Sequence, residues 1–241
     1  MNFEKQLETV VVAGGRGRRM GELTKEKPKP LLEVEGKPIL THVFDNVIEA
    51  FGSAKIILAT GYRGDDIKSL YGNRYRNLNI DYVHDPRQLE IRKRLLSVKE
   101  KISTSFLFLA TDVICKPDAL LKVVETQEQE NENLFGTISG AEDHQPALTH
   151  AIIKTKNDNA VDLEFPPSDT WEEGDLRDIH VACYRPEFIG LLNTVPDNFT
   201  SITQVISKAL KDGKDFKVSK YCNPWYHFAT PKDLQTQLDR S

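Results

Sequence analysis

The sequence of 241 residues predicts an α/β fold in which helices cover both faces of a mainly parallel sheet. Residues 9–13 form a β-branched run that ends in glycines, which is typical of a buried parallel strand. Similar apolar runs recur along the first 140 residues, and amphipathic stretches of helical length separate them. Strands that alternate with helices indicate βαβ crossovers, so a three-layer sandwich on a mixed, mainly parallel sheet is predicted.

The first half of the chain contains the clearest elements. Its predicted strands cover residues 9–13, 55–60, 80–83, 105–110 and 134–139. Its predicted helices cover residues 38–51, 88–102 and 117–128. The first of these helices has Pro38 in its first turn and Gly52 directly after its last residue, and both residue types are favoured at those helix ends.

The pattern changes after about residue 140. Asn157 and Asp158 tolerate left-handed turns, so a β-hairpin is predicted between residues 151–154 and 161–165. Residues 166–178 are acidic and contain proline, which indicates an exposed loop. The other predicted elements are strands over 180–185 and 216–220, a helix that begins at residue 186, a helix over 201–212 and a short last helix that opens at Thr230.

Composition argues against several functional classes. Lys and Arg number 32 against 36 Asp and Glu, so no global positive field favours nucleic acid or an anionic membrane, and we expect neither as a partner. The longest apolar runs are far shorter than a membrane span. The three cysteines lie far apart and the first eight residues are polar and acidic, so we expect a reduced, cytoplasmic protein without a disulfide framework or structural zinc.

A glycine-rich loop follows the first strand, where residues 13–19 read Ala-Gly-Gly-Arg-Gly-Arg-Arg. Glycine lets backbone N–H groups approach an anion closely, and three arginines in four positions add positive charge. The loop matches neither Gly-x-Gly-x-x-Gly nor the Gly-Lys-Ser/Thr end of a P-loop. A phosphate site is therefore predicted, and the structural alternative is a tight turn that carries solvated arginines.

A lysine between two prolines lies ten residues beyond this loop. Pro28 and Pro30 restrict the backbone around Lys29, and a lysine held in this way presents a fixed point charge to a phosphate. Taken alone, the segment would be interpreted as an exposed Lys/Pro linker.

Together, these segments resemble the sugar-1-phosphate nucleotidyltransferases, also called sugar-nucleotide pyrophosphorylases. The family pattern is a Gly-Gly-x-Gly-Thr-Arg-Leu loop, then Pro-Leu-Thr, then Pro-Lys-Pro-Leu. The corresponding segments here are residues 14–20, Leu23-Thr24 and residues 28–31. Arg18 stands at the Thr position and Met20 at the Leu position.

The resemblance is strong over residues 9–40 and looser along the rest of the chain. It implies a Rossmann-like fold of the nucleotide-diphospho-sugar transferase type, formed as one domain over residues 1–241. In that domain, about residues 1–140 are expected to bind the nucleotide and about residues 141–241 the acceptor.

The resemblance also implies a reaction, in which an acceptor phosphate attacks the α-phosphorus of a nucleoside triphosphate and pyrophosphate leaves. Arg19 and Lys29 match the family's catalytic arginine and lysine, which bind the triphosphate and stabilise developing charge. The predicted nucleotide-binding residues are Ala13, Gly14, Gly15, Arg16, Gly17 and Arg18. The expected partners are the triphosphate and a small phosphorylated acceptor, and a homo-oligomer is left open.

Two residues are candidates for metal binding. Asp112 follows an apolar strand, at the sheet edge where α/β proteins bind ligands, and the family's aspartate here binds Mg²⁺. The alternative is that Asp112 caps the next turn. His227 stands where the family has a second metal aspartate, and three roles stay open for it: a ligand of another divalent ion, a phosphate contact or a structural histidine. The expected cofactor is Mg²⁺, with Mn²⁺ as the alternative.

The acceptor side departs from the family. The family's Glu-Lys-Pro appears as Glu164-Phe165-Pro166, so Glu164 is the predicted acceptor contact and the acceptor-binding lysine is missing. The alternatives are therefore a non-sugar acceptor such as phosphocholine, a polyol phosphate or a cofactor precursor, or a non-catalytic regulatory homologue.

The base side departs as well. The family's Gly-Thr-Ala-like segment is replaced by the basic residues 87–96, which we interpret as a solvated helix face. His84, Asp85 and Gln88 lie where base or ribose contacts occur, without assigned roles. His144 and His150 are interpreted as loop residues rather than catalysts.

Overall fold

The computed structural model describes residues 7–87, 89–129, 134–142, 150–164 and 172–238. The strands are β1 (Glu8–Ala13), β2 (Glu33–Val34), β3 (Lys37–Pro38), β4 (Ala54–Thr60), β5 (Arg74–Tyr75), β6 (Leu78–His84), β7 (Phe106–Ala110), β8 (Val113–Ile114), β9 (Leu134–Ala141), β10 (Ile152–Lys156), β11 (Asn159–Glu164), β12 (Leu176–Tyr184), β13 (Asp215–Tyr221) and β14 (Tyr226–His227). The α-helices are α1 (Ile39–Phe51), α2 (Gly64–Tyr71), α3 (Ile91–Leu96), α4 (Pro117–Gln129), α5 (Glu187–Thr194), α6 (Ile202–Lys211) and α7 (Pro231–Leu238).

Ten of the described strands form one mixed sheet in the order β10-β11-β13-β9-β12-β7-β1-β4-β6-β5. Strands β7, β1, β4 and β6 are parallel, which confirms the βαβ pattern predicted for the first half. Strand β12 pairs antiparallel with β7 and β9, and so joins the second half of the chain to the first. The carboxyl ends of β1 and β7 are neighbours, and the predicted loop and Asp112 both follow these ends.

The sheet is covered on both faces, as predicted. Val10 and Val11 point to opposite sides of β1 because successive strand residues alternate. Val11 packs in a core with residues of α1, α2 and α4, and Val10 packs in a second core with residues of α3, α5 and α6. The α/β three-layer fold class is therefore confirmed. None of the helices within the described ranges is long and apolar enough to cross a membrane.

The predicted hairpin is also confirmed. Asn157 and Asp158 have φ angles of 53° and 58°, and they connect β10 to the antiparallel β11. Both central residues of a type I′ turn need positive φ, which these residue types tolerate better than most.

The helix predicted over residues 88–102 is wrong in length. Glu90 is extended, so α3 begins only at Ile91, and after Leu96 the chain continues in a separate 3-10 turn at Lys99–Lys101. The Ser97 hydroxyl donates to the carbonyl of Arg94 at 2.7 Å, and such local bonds compete with further helical bonding. Helix α2 was not predicted, because its eight residues are too few for a clear periodic pattern.

The predicted exposed loop over residues 166–178 is wrong at its end. Strand β12 begins at Leu176, and Asp175, Arg177 and Asp178 are buried. Burial is possible because these groups have partners: Lys154 Nζ lies 2.8 Å from Asp175 Oδ2, and the backbone N–H of His180 donates to Asp178 Oδ1. Residues 166–171 of the predicted loop lie outside the described residues.

Candidate active site

The glycine loop is folded against the segment that carries Lys29. Gly17 has φ 67° and ψ 40°, a left-handed conformation, and a Cβ placed on it would lie 2.9 Å from the Lys29 Cβ. Its carbonyl accepts bonds from the Met20 backbone N–H and the Thr24 hydroxyl. Gly15 has no atom within 4 Å of its Cβ position, so the backbone there faces open space. Glycine at these positions allows both the turn and a close approach of a ligand.

A cavity of about 320 Å³ lies in front of this loop. Its walls are formed by Val12, Gly15, Gly17, Arg18, Arg19, Lys29, Pro30, Leu89, Ile91, Arg94, Ala110, Thr111 and Asp112. The structure thus brings together two of the predicted loop glycines, both predicted catalytic cations and the predicted metal carboxylate. The lining combines the positively charged side chains of Arg18, Arg19, Lys29 and Arg94 with the apolar side chains of Val12, Pro30, Leu89, Ile91 and Ala110.

Three of the predicted nucleotide-binding residues do not line this cavity. Ala13 is buried at the end of β1, and Gly14 is buried behind the loop. Arg16 is exposed, with its guanidinium carbon 5.3 Å from the centre of the Tyr62 ring. That distance is within the range of a cation–π contact, which holds Arg16 on the outside of the loop.

Lys29 and Asp112 form an ion pair in the wall of the cavity. Lys29 Nζ lies 3.2 Å from Asp112 Oδ2, and both side chains are mostly buried. Pro28 is extended and Lys29 opens a 3-10 turn, so the prolines set the direction of the lysine. Burial opposes ionisation of Asp112, but Lys29, His180 and His227 outweigh it and hold the pKa of this carboxyl well below its usual value.

Histidines flank Asp112 on both sides. His227 Nε2 lies 3.7 Å from Asp112 Oδ2, and His180 Nδ1 lies 3.8 Å from Oδ1. The ring of His150 stacks on His180, with 4.4 Å between centroids, and contacts His227 edge-on at 4.2 Å. His150 is completely buried, which lowers its pKa to about 2, so this ring is neutral. His150 does lie outside helices and strands, as predicted, but it is part of the site.

His180 was not predicted as a site residue. This residue has φ 55° and lies at a register shift of β12 between Asp178 and Ala182. Bulges redirect side chains and occur often beside active sites. Burial lowers the pKa of His180, but Asp178 and Asp112 outweigh that effect and raise it above the ordinary value. The available signal was the polar residues Asp178 and His180 within a strand whose last four residues are apolar or aromatic.

The residues fit a Mg²⁺ ion held by Asp112 together with substrate phosphates. Oδ1 of Asp112 is buried without a hydrogen-bond partner among the described residues. Protein sites for Mg²⁺ commonly use one or two carboxylates and complete the shell with phosphate and water. Within the same part of the chain, no three His, Cys, Asp or Glu side chains are grouped as a metal site. His227 therefore contributes an imidazole near the carboxylate and no hard oxygen ligand.

The base and acceptor sides differ from the expectations. Arg92 and Arg94 are buried, so the prediction of a solvated basic face over residues 87–96 is wrong. The reason is that each guanidinium finds backbone carbonyls inside the fold. Glu164 is exposed at the end of β11 and does not line the cavity.

The other residues noted on these two sides have the following positions. His84 Nδ1 lies 3.1 Å from the Thr60 hydroxyl, and Asp85 pairs with Arg87. Gln88, His144 and Phe165 lie outside the described residues.

A family model and several known proteins match this sequence. The sequence model of the family described as "Nucleotidyl transferase" matches residues 8–165. The UTP–glucose-1-phosphate uridylyltransferase AglF of Haloferax volcanii is 36% identical over 124 residues, which cover 52% of this chain and 50% of the relative. The catalytic subunit beta of mannose-1-phosphate guanylyltransferase from Drosophila pseudoobscura pseudoobscura is 25% identical over 234 residues, covering 95% of this chain and 61% of the relative. The chain thus spans about half of the first relative and about three fifths of the second.

The fold has close counterparts among solved structures. A putative glucose-1-phosphate thymidylyltransferase from Bacillus anthracis superposes with a TM-score of 0.82 at 18% identity, covering 98% of this chain and 95% of that one. At this identity the likeness concerns the fold alone, and it confirms the predicted nucleotide-diphospho-sugar transferase type.

Proposed function

Because the chain belongs to the nucleotidyl transferase family, we propose that it moves a nucleoside monophosphate group from a nucleoside triphosphate to a sugar phosphate and releases pyrophosphate. The observation that carries this proposal is the cavity in which Gly15, Gly17, Arg19, Lys29 and Asp112 meet. Such a cavity supplies open backbone, cations and a metal carboxylate, and nucleotidyl transfer requires little else from a protein.

The residues have distinct proposed roles on the donor side. Gly15 leaves room for a phosphate to reach the backbone, and Arg18 and Arg19 lie at the exposed rim, where leaving pyrophosphate would be stabilised. Lys29 places its ammonium between the loop and Asp112, where negative charge develops at the α-phosphate. Asp112 would hold Mg²⁺, whose charge neutralises phosphate oxygens when it is bound.

The second half of the chain is proposed to form the acceptor side of the site. His180 and His227 come from that half and approach Asp112, which follows β7. This supports an acceptor half of about residues 141–241 and a nucleotide half of about residues 1–140. The names of both relatives specify a sugar 1-phosphate, which favours that class of acceptor here.

A second candidate keeps the chemistry but changes the acceptor. Glu164 is exposed outside the cavity, and Phe165 stands where the family has its acceptor-binding lysine. A non-sugar phosphate such as phosphocholine or a polyol phosphate is therefore the alternative acceptor.

The test is a matrix of pyrophosphate-release assays. The protein is incubated with UTP, dTTP, CTP, GTP or ATP, with Mg²⁺ or Mn²⁺, and with sugar 1-phosphates, phosphocholine or polyol phosphates. Release that depends on a sugar 1-phosphate supports the main proposal, and release only with another acceptor supports the second. Triphosphate binding without release in any combination would instead indicate a regulatory homologue.

A further inference from the structure

Two arginines of α3 are almost entirely buried. Arg92 is 3% exposed and Arg94 is 1% exposed. Arginine is rarely buried unless its donors are paired, because a cation that leaves water must recover its hydrogen bonds. Burial accordingly lowers the pKa of Arg94 from its ordinary value. The proposed reaction assigns Arg94 no role, yet this residue lines the cavity and Arg92 does not.

The guanidinium of Arg94 binds three backbone carbonyls from two segments of the chain. Nη1 donates to Thr60 at 2.7 Å and to Asp85 at 2.8 Å, and Nη2 donates to Arg87 at 2.8 Å. These carbonyls belong to the end of β4 and to the loop between β6 and α3. One planar cation therefore holds the end of β4 and this loop in register with α3.

The same guanidinium supports the glycine loop from behind. A Cβ at Gly14 would lie 2.7 Å from Arg94 Cζ, and a Cβ at Gly61 would lie 2.5 Å from Nη2. Real Cβ atoms do not approach other atoms so closely, so both glycines are needed for the backbone to lie against the guanidinium. The Gly14 carbonyl also accepts from the Tyr62 backbone N–H at 3.3 Å.

We propose that Arg94 is a positioning residue for the donor nucleotide, because it fixes the Gly14–Gly15 turn relative to the cavity wall formed by Leu89 and Ile91. This inference rests on the proposed function, in which the turn faces the triphosphate. The positively charged side chains of the cavity suit the phosphates, and the apolar side chains of Leu89 and Ile91 suit the nucleoside. Arg94 connects these two parts, so its loss separates them without touching the acceptor side.

Arg92 provides a matched control. It lies two residues earlier in the same helix and is buried to a similar extent. Its guanidinium, however, donates to the Leu192 carbonyl of α5 and lies 3.4 Å from Asp197. Loss of Arg92 therefore disturbs the packing of α3 against α5 and leaves the glycine turn supported.

The experiment compares R94M and R94K with R92M and R92K. Thermal stability is measured first, then the KM values for triphosphate and acceptor, and then calorimetric binding of UTP, dTTP, CTP, GTP and ATP with Mg²⁺. R94M is expected to raise the KM and Kd for the triphosphate by about tenfold or more and to leave the acceptor KM unchanged. This is the pattern of a variant that binds the triphosphate more weakly, by the same amount in the ground state and in the transition state. R94K should recover part of the affinity, because an ammonium can still donate to some of these carbonyls. R92M should lose stability but bind triphosphate like the wild type.

Two results would overturn the inference: wild-type triphosphate affinity in R94M, or an equal loss of affinity in R92M. If R94M does not fold, G14A is tested in its place. The added methyl group would push the glycine turn away from the Arg94 guanidinium, so the variant should raise the KM for the triphosphate and leave the acceptor KM unchanged. If the wild type binds a triphosphate but transfers it to no acceptor, the proposed function fails, and the binding comparison still tests Arg94. A wild type that binds none of the five triphosphates refutes both.

Discussion

Lys29→Ala removes an ammonium group that lies 3.2 Å from the Asp112 carboxylate inside the cavity. At an effective dielectric constant of about 20, two unit charges at this distance attract by about 5 kcal/mol before desolvation is subtracted. The folded state partly replaces this contact, because His180 and His227 remain within 4 Å of the carboxylate. We therefore expect the variant to fold.

In catalysis the two histidines do not replace Lys29, because the ammonium is proposed to stabilise the negative charge that develops at the α-phosphate. Loss of one preorganised donor of this kind lowers kcat by about 10²–10³-fold. Pyrophosphate release under saturating triphosphate measures kcat, and calorimetry measures the accompanying change in triphosphate Kd.

Lys27→Ala is the control for Lys29→Ala. Lys27 lies two residues away and pairs with the exposed Glu33 at 2.8 Å, outside the cavity. Its removal should leave both kcat and Kd unchanged, because an exposed pair contributes little. Wild-type turnover in Lys29→Ala, or an equal loss in Lys27→Ala, would refute the role given to Lys29.

Three further predictions concern the loop, the fold and the cation. Gly17→Ala should cost about 1–2 kcal/mol of stability, from its left-handed backbone, and should lower turnover by about 10²-fold because the methyl group displaces Lys29. Gly213→Ala, also at positive φ but in open space, should show the stability loss alone in the same denaturation and pyrophosphate assays. Glu8→Gln should cost about 1–3 kcal/mol at neutral pH, because Glu8 is buried and accepts bonds from Lys55 and from the backbone N–H of Ser103. Burial opposes ionisation of Glu8, but these bonds outweigh it and lower its pKa, so its contribution is present above the unfolded pKa and is lost as pH falls through the folded one. Urea titrations should therefore show the wild type and the variant converging in acid, and a constant difference would contradict this. His227→Asp should lower the Mg²⁺ concentration for half-maximal pyrophosphate release severalfold, because it adds a hard oxygen beside Asp112; an unchanged requirement would separate residue 227 from the cation, and EDTA provides the metal-free baseline.

The local pattern of apolar and polar residues was sufficient to predict much of the fold. Strands such as β7, in which all five residues are buried, are apolar throughout because helices cover both faces of the sheet. The Asn157-Asp158 turn could also be predicted, because Asn and Asp tolerate the positive φ angles that the turn requires. Short elements such as α2 were not predictable, because eight residues provide little periodic signal.

Part of the site could be predicted from the sequence, and part could not. Gly17 and Lys29 could be predicted as neighbours only through the family resemblance, and the structure places them in contact. Arg92 and Arg94 have the same residue type on one short helix, and a basic stretch is usually solvated. Which backbone carbonyls each guanidinium meets depends on β4 and α5, which are distant in sequence. No local pattern carries that information.

The contacts of Asp112 could likewise not be predicted from the local sequence, and they bear on the proposed chemistry. Its Oδ2 is bonded to Lys29, whereas its Oδ1 is buried without a hydrogen-bond partner among the described residues and faces His180 at 3.8 Å. Lys29 therefore stays oriented toward the glycine loop through its bond to Oδ2, and Asp112 would hold a Mg²⁺ ion only together with the phosphates of the substrate.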